Sequence, residues 1–195
     1  MLITKEGLYD KYYSSFISLE PVYLYREDNE MPNHCHNRVT FYPAGSDTAK
    51  AIEDIKAIKQ MFEDEECFTQ IIPEPDWANT PLMSRDMPKY GGDVAKGSLG
   101  ELPQYVEDPW KRLVFKSTGR SDDRWYDWRV QNWDTKWDCY DVEVIDSDPE
   151  NLEIEFNTAW APPEAICHAL REKYEDTVGI SWFYDEPGCE IAGYL

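Results

Sequence analysis

Residues 38–42, RVTFY, alternate apolar Val39 and Phe41 with polar neighbours, the period of two expected of a half-buried strand. The turn signal PAGSD follows, offering Gly45 for the turn and Ser46 or Asp47 as a helix cap. Ala51, Ile52, Ile55, Ile58 and Phe62 then recur at helical spacing. Acidic residues at 63–66 sit badly at the negative end of a helix dipole, so this helix is expected to end near Phe62. CFTQII, residues 67–72, reads as a second strand. Beyond it, Pro73, Pro75, Pro81, Pro88, Pro103 and Pro109, with Gly91, Gly92, Gly97 and Gly100, punctuate the chain too often for long regular elements. They predict an irregular insertion at about 73–120.

A helix is expected after TGRSDD, where Ser121 or Asp122 can cap it. Helical spacing puts Trp125, Trp128, Arg129 and Asn132 on one face and Val130, Trp133 and Trp137 on another. CYDVEVID and NLEIEFNTAW are alternating runs around the turn signal SDPEN. Their apolar residues, Val142 and Val144 against Leu152, Ile154 and Phe156, all carry even numbers, so a regular hairpin needs a loop of odd length, three or five. The same register aligns Asp141, Glu143, Glu153 and Glu155 on the opposite face, where directly opposed like charges destabilise pairing. Pro162 and Pro163 open a helix with Ile166, Leu170 and Tyr174 as its buried stripe. TVGISWFY is a strand with Val178, Ile180, Trp182 and Tyr184 on one face, and GCEIAGYL supplies a last short strand. With the insertion set aside, this order predicts an α+β ferredoxin-like sandwich, an antiparallel sheet with helices on one face.

The composition supports one folded domain: 42% hydrophobic and 14% aromatic residues in 195 supply a sizeable core. The net charge of −20 opposes direct binding to nucleic acid, whose affinity rests on neutralising phosphates. That charge is segregated. Lys111, Arg112, Lys116, Arg120, Arg124, Arg129 and Lys136 face only four aspartates over residues 111–137, whereas residues 138–195 carry −13. The four tryptophans of WYDWRVQNWDTKW therefore lie in the one basic stretch of an acidic chain. Five widely spaced cysteines without a CxxC pattern fit reduced thiols. No run spans a bilayer and the start lacks the apolar core of a secretory signal, so the cytoplasm of a host cell is the expected compartment.

Candidate chemistry is sparse. His34, Cys35 and His36 are metal-ligand types, but alternation along a strand separates the cysteine from the histidines and no second ligand pair follows at metal-site spacing; no metal or cofactor is expected. GGDVAKGS, residues 91–98, lacks the Lys-Ser/Thr ending of a phosphate-binding loop and reads as a turn. Carboxylates abound without a spacing that selects a catalytic pair. The residues that draw attention are binding candidates: Trp125, Trp128, Arg129, Trp133 and Trp137 as aromatic and cationic anchors, and Asp141, Glu143, Glu153 and Glu155 as an acidic face able to imitate a phosphate backbone. The competing readings are a core under the insertion for the tryptophans and a solvated sheet face for the acids.

MPNHCHNRVTF at 31–41, WYDWRVQNWDTKWD at 125–138, FNTAWAPP at 156–163 and YDEPG at 184–188 occur in that order. Together they resemble the YubB ferredoxin-like domain family of phage and plasmid proteins. The resemblance implies a ferredoxin-like domain over 31–195, with residues 1–30 as an N-terminal extension. Trp125, Trp128, Asn132, Trp133, Lys136, Trp137, Trp160, Pro162 and Pro163 match family motif positions, none of which brings a catalytic role. The expected function is that of a non-enzymatic accessory protein of a phage or mobile element. It would bind a host protein, such as a nucleic-acid-handling defence factor inhibited in the anti-CRISPR or anti-restriction manner. The alternatives are a hydrolase or nucleic-acid-processing enzyme sited between the insertion and the tryptophan block, and a single-strand binder using the basic aromatic segment.

Overall fold

The computed structural model describes residues 33–83, 100–148 and 150–195, except 65, 101, 107, 110, 111 and 118. The extension at 1–30, the turn at 91–98 and Lys111 lie outside the described residues. Alternation in the sequence becomes β1, His34–Pro43, whose Cys35, Asn37, Val39 and Phe41 point inward. Asp47 caps the helix that follows, its carboxylate accepting from the Lys50 backbone N–H at 3.0 Å. That helix, α1, runs Thr48–Glu63 and buries Ala51, Ile55, Ile58, Met61 and Phe62.

The expected second strand is a helix instead. α2 spans Cys67–Ile71, starting from Glu66 in the left-handed conformation. The half-buried Asp138 carboxylate receives the Phe68 N–H through both oxygens, at 3.1 and 3.0 Å, satisfying a donor at the helix start. Phe68 then inserts its ring between Trp133 and Phe156, with centroids at 5.8 and 6.2 Å. The β-branched character of Thr69, Ile71 and Ile72 favoured a strand, but this tertiary docking outweighs a local preference of well under 1 kcal/mol per residue.

After the insertion come α3, Arg124–Asn132; β4, Tyr140–Asp148; β5, Asn151–Ala159; α4, Glu164–Lys173; β6, Val178–Glu186; and, after two-residue strands β2, Tyr105–Val106, and β3, Val114–Phe115, within the insertion, the final β7, Ile191–Tyr194. The main sheet has the order β4-β5-β1-β6-β7, antiparallel throughout. β1, β4, β5 and β6 with α1 and α4 reproduce the split βαβ arrangement of the ferredoxin-like fold, and β7 adds a fifth strand.

The core lies between the sheet and the helices, where Phe41, Phe62, Phe156 and Trp182 meet at centroid distances of 5.3–6.0 Å. Buried Asn37 is fully engaged there: it accepts from the Trp182 indole N–H at 3.0 Å and donates to the Cys35 carbonyl and the Thr158 hydroxyl.

The β4–β5 hairpin departs from the odd loop expected of it. Asp148 pairs with Asn151, leaving a two-residue turn in which Glu150 N–H donates to the Asp148 carboxylate. Two bulges on β4, between Tyr140 and Glu143 and between Val144 and Asp146, each insert one residue, and Asp141 adopts φ 52° in the first. The bulge nearer the turn restores Val144 opposite Ile154, so the apolar residues still align. Parity failed because it assumes an unbroken ladder, and edge strands are where ladders break.

Candidate functional site

Strict alternation on β5 and β6 sends every second residue to the face that the helices leave uncovered. One row crosses all five strands: Glu143 on β4, Glu155 on β5, Arg38 on β1, Phe183 on β6 and Tyr194 on β7, each opposite the next. A second row sets Asn157, His36 and Asp185 side by side. All of these except Tyr194 line a concavity of about 520 Å3 that also takes in Asp141. Glu143 stands directly opposite Glu155, a like-charge rung of the kind expected from the sequence, whereas the bulges leave Asp141 outside the ladder and bring Asp146, which was not expected there, opposite Glu153.

The cost of these like-charge rungs is relieved from the neighbouring strand: the Arg38 guanidinium pairs with both Glu153 and Glu155, its Nε lying 2.5 Å from Glu155 Oε1. The pairing with Glu155 holds the Arg38 pKa above its ordinary value. The Asp141 carboxylate accepts from Asn157 at 3.2 Å. Glu143 and Asp185 form no ion pair among the described residues.

The histidines on this face are held by neutral partners. His36 Nδ1 donates to Asn157 Oδ1 at 2.6 Å, and His34 Nδ1 hydrogen-bonds the Tyr140 hydroxyl at 2.7 Å. Cys35 points into the opposite, buried layer, where desolvation pushes its thiol up to about 11. The His-Cys-His triplet thus splits across the sheet, and among the described residues no group of three His, Cys, Asp or Glu is placed to hold a metal.

The tryptophan block divides. Trp133 is 0% exposed, donates its indole N–H to the Ile72 carbonyl at 3.0 Å and packs edge-on against Trp128, so its ring belongs to the core and not to a contact surface. It shares that position with Trp128 and Arg129, not with Val130, which is exposed. α3 ends at Asn132, and Asp134, with φ 64°, turns the chain away. Arg129 lies over the rings of Trp125 and Trp133 and pairs with Glu74 of the insertion, Nε to Oε2 at 2.7 Å. Arg124 is buried with Asp122, and its guanidinium also donates to the carbonyls of Trp77, Thr80 and Pro81. Three of the cations that made residues 111–137 look basic thus bind acids within the insertion or its edges, Arg124 with Asp122, Arg129 with Glu74 and Arg112 with Asp108.

Trp137 is the surface member, 37% exposed, and meets Trp160 across Lys136, whose ammonium lies 3.9 and 4.0 Å from the two ring centroids. Thr135 bonds both backbone groups of Ala159, and Asp134 accepts the Ala165 N–H at the start of α4. The blocks NWDTKW and TAWAPP, distant in sequence, are thus one interlocked joint, which explains their joint appearance as motif. Trp137 also contacts the Tyr140 ring at 6.4 Å, bringing the joint to the end of the acidic face.

Of the binding residues expected from the sequence, Asp141, Glu143, Glu153, Glu155 and Trp137 thus fall on or beside one surface. Trp125, Trp128, Arg129 and Trp133 gather around the insertion and core. Arg38, Phe183 and Asp185 were missed, although each occupies the polar phase of a strand whose apolar phase was recognised.

Residues 132–195 match the family described as the ferredoxin-like domain in Api92-like protein, which agrees with the fold seen here. The crystal structure of the protein api92 from Yersinia pseudotuberculosis is similar at 12% identity and a TM-score of 0.40, over 84% of this chain and 93% of that one. No curated protein matches the chain. Among the described residues, no helix is long and apolar enough to cross a membrane.

Proposed function

We propose that this chain is a non-enzymatic accessory protein of a phage or other mobile element, as its resemblance to the YubB family implies, and that it acts in the host cytoplasm by binding a host protein through the helix-free face of its sheet. The observation that carries this reading is the group of carboxylates Asp141, Glu143, Glu153 and Glu155 on a face that none of the described helices covers, with Glu143 and Asp185 forming no ion pair among the described residues. Desolvated basic grooves that hold nucleic acid are complementary to such a surface, because opposed potentials speed encounter and select partners. The partner class is accordingly a nucleic-acid-handling defence factor, inhibited by occupation of its basic groove. The interior use of Arg124 and Arg129 counts against the single-strand-binding alternative, since phosphate contacts need cations facing solvent.

The test is capture from host lysate by the native chain and by a variant with Asp141, Glu143, Glu153 and Glu155 changed to Lys. Nucleic-acid-binding proteins should be retained by the native chain, released by added duplex DNA and absent from the variant. Partners that persist on a folded variant would refute this use of the face.

A further inference from the structure

The open face is acidic over β4 and β5 and aromatic over β6 and β7. Phe183 packs edge-on against Tyr194 with centroids 5.3 Å apart, and Tyr194 is 74% exposed. The concavity of about 520 Å3 spans both halves, with Phe183 and Asp185 of β6 at one side and Glu143 and Glu155 at the other, across Arg38. Resting on the reading of this face as a partner-binding surface, we propose that the concavity is an arginine-recognition site, receiving a guanidinium from an Arg-rich segment of a basic protein partner.

Charge complementarity selects a cation, and the neighbouring rings select which cation. A guanidinium is planar, weakly hydrated, able to stack on an aromatic face and to bond carboxylates through two parallel N–H groups, whereas an ammonium is a compact, strongly hydrated charge. The chain's own Arg38 shows the face accommodating such a group: opposite both Glu155 and Phe183, it pairs with Glu153 and Glu155. Asp185, two residues from Phe183 on the same strand, supplies an acceptor beside that ring for an incoming guanidinium, and Glu143, on the far side of the Arg38 pairing, supplies one for a further arginine of the segment.

The probes are dye-labelled peptides of nine arginines or nine lysines, titrated against the full chain by fluorescence anisotropy at about 0.1 M salt, where screening acts beyond about 10 Å. The arginine peptide should bind about tenfold more tightly, a ratio within reach of one desolvated stacking contact. Glu143→Gln with Asp185→Asn should weaken both peptides. Phe183→Leu should bring the arginine peptide down to the lysine peptide's affinity and leave the latter unchanged; Tyr194→Leu, at an exposed ring, repeats the test without loading the core. Equal affinities for the native chain, or an arginine advantage that survives both leucine variants, would overturn the site. Loss of captured partners in the four-lysine variant with equal peptide affinities defeats arginine recognition alone. An arginine preference with capture unaffected defeats the functional reading alone.

Discussion

Arg38 on β1 and Glu155 on β5 stand directly opposite each other on the uncovered face, Nε 2.5 Å from Oε1, and Glu153 joins the same guanidinium. Arg38 is thus the internal counter-ion of a surface that otherwise repels itself. Arg38→Met should lower the melting temperature at low salt, with the difference closing as salt rises, because exposed pairs are screened. The same substitution should tighten binding of a basic partner by removing a resident competitor. Melting curves at two salt concentrations and a titration with the arginine peptide check both effects, and unchanged binding would argue that the face is a solvated surface only.

Trp133 and Trp137 sit four residues apart and have opposite fates. Trp133→Ala should cost about 3–5 kcal/mol in urea unfolding, the range for deleting a fully buried large aromatic. Trp137→Ala should cost far less, leaving Lys136 against Trp160 alone. Quenching by acrylamide should select Trp137 and Trp160, so substituting both with Phe should remove much of the quenchable emission while Trp133 and Trp182 stay dark to the quencher.

Gly45 was expected to serve a turn. The requirement is space: a Cβ there would lie 2.0 Å from the Asp176 carbonyl oxygen, a backbone atom that cannot swing aside. Gly45→Ala should destabilise by about 1–3 kcal/mol, as overpacking does, measurable as a lower urea midpoint.

Burial pushes the Cys35 and Cys167 thiols up to about 11. Between pH 9 and about 11 the folded chain keeps protons that the unfolded chain releases, so these thiols' contribution is complete below pH 9 and is lost as pH rises through 11. Urea midpoints should therefore fall across that window, and less so in Cys35→Ala. Iodoacetamide at pH 8 should label exposed Cys189 in the native protein and spare Cys35, Cys67 and Cys167 until unfolding.

The five strands of the main sheet and the two sheet-covering helices were legible because each buries one face at its own period, and Asp47 was legible as a cap because capping is local chemistry. α2 was not: its start depends on Asp138, seventy residues away, and its packing on Trp133. The hairpin loop escaped for a similar reason, since bulges that bend an edge strand leave no parity signal. At the site, the four hairpin acids were visible as a period-two set. Arg38, which sets their net charge, was hidden because strand order, not sequence, brings β1 beside β5. Of the cations counted over residues 111–137, Arg124 and Arg129 are taken up by Asp122 and Glu74, a distinction that charge counting cannot draw.

The most direct test of the central claim is carboxyl footprinting: modification of the native chain by a carbodiimide and glycine ethyl ester, with and without a captured partner, read by peptide mass spectrometry. The account predicts that Glu143, Glu155 and Asp185 lose reactivity in the complex while Glu53 on α1 and Glu172 on α4 keep theirs. Undiminished labelling of Glu143, Glu155 and Asp185, with protection on the helical side, would contradict it.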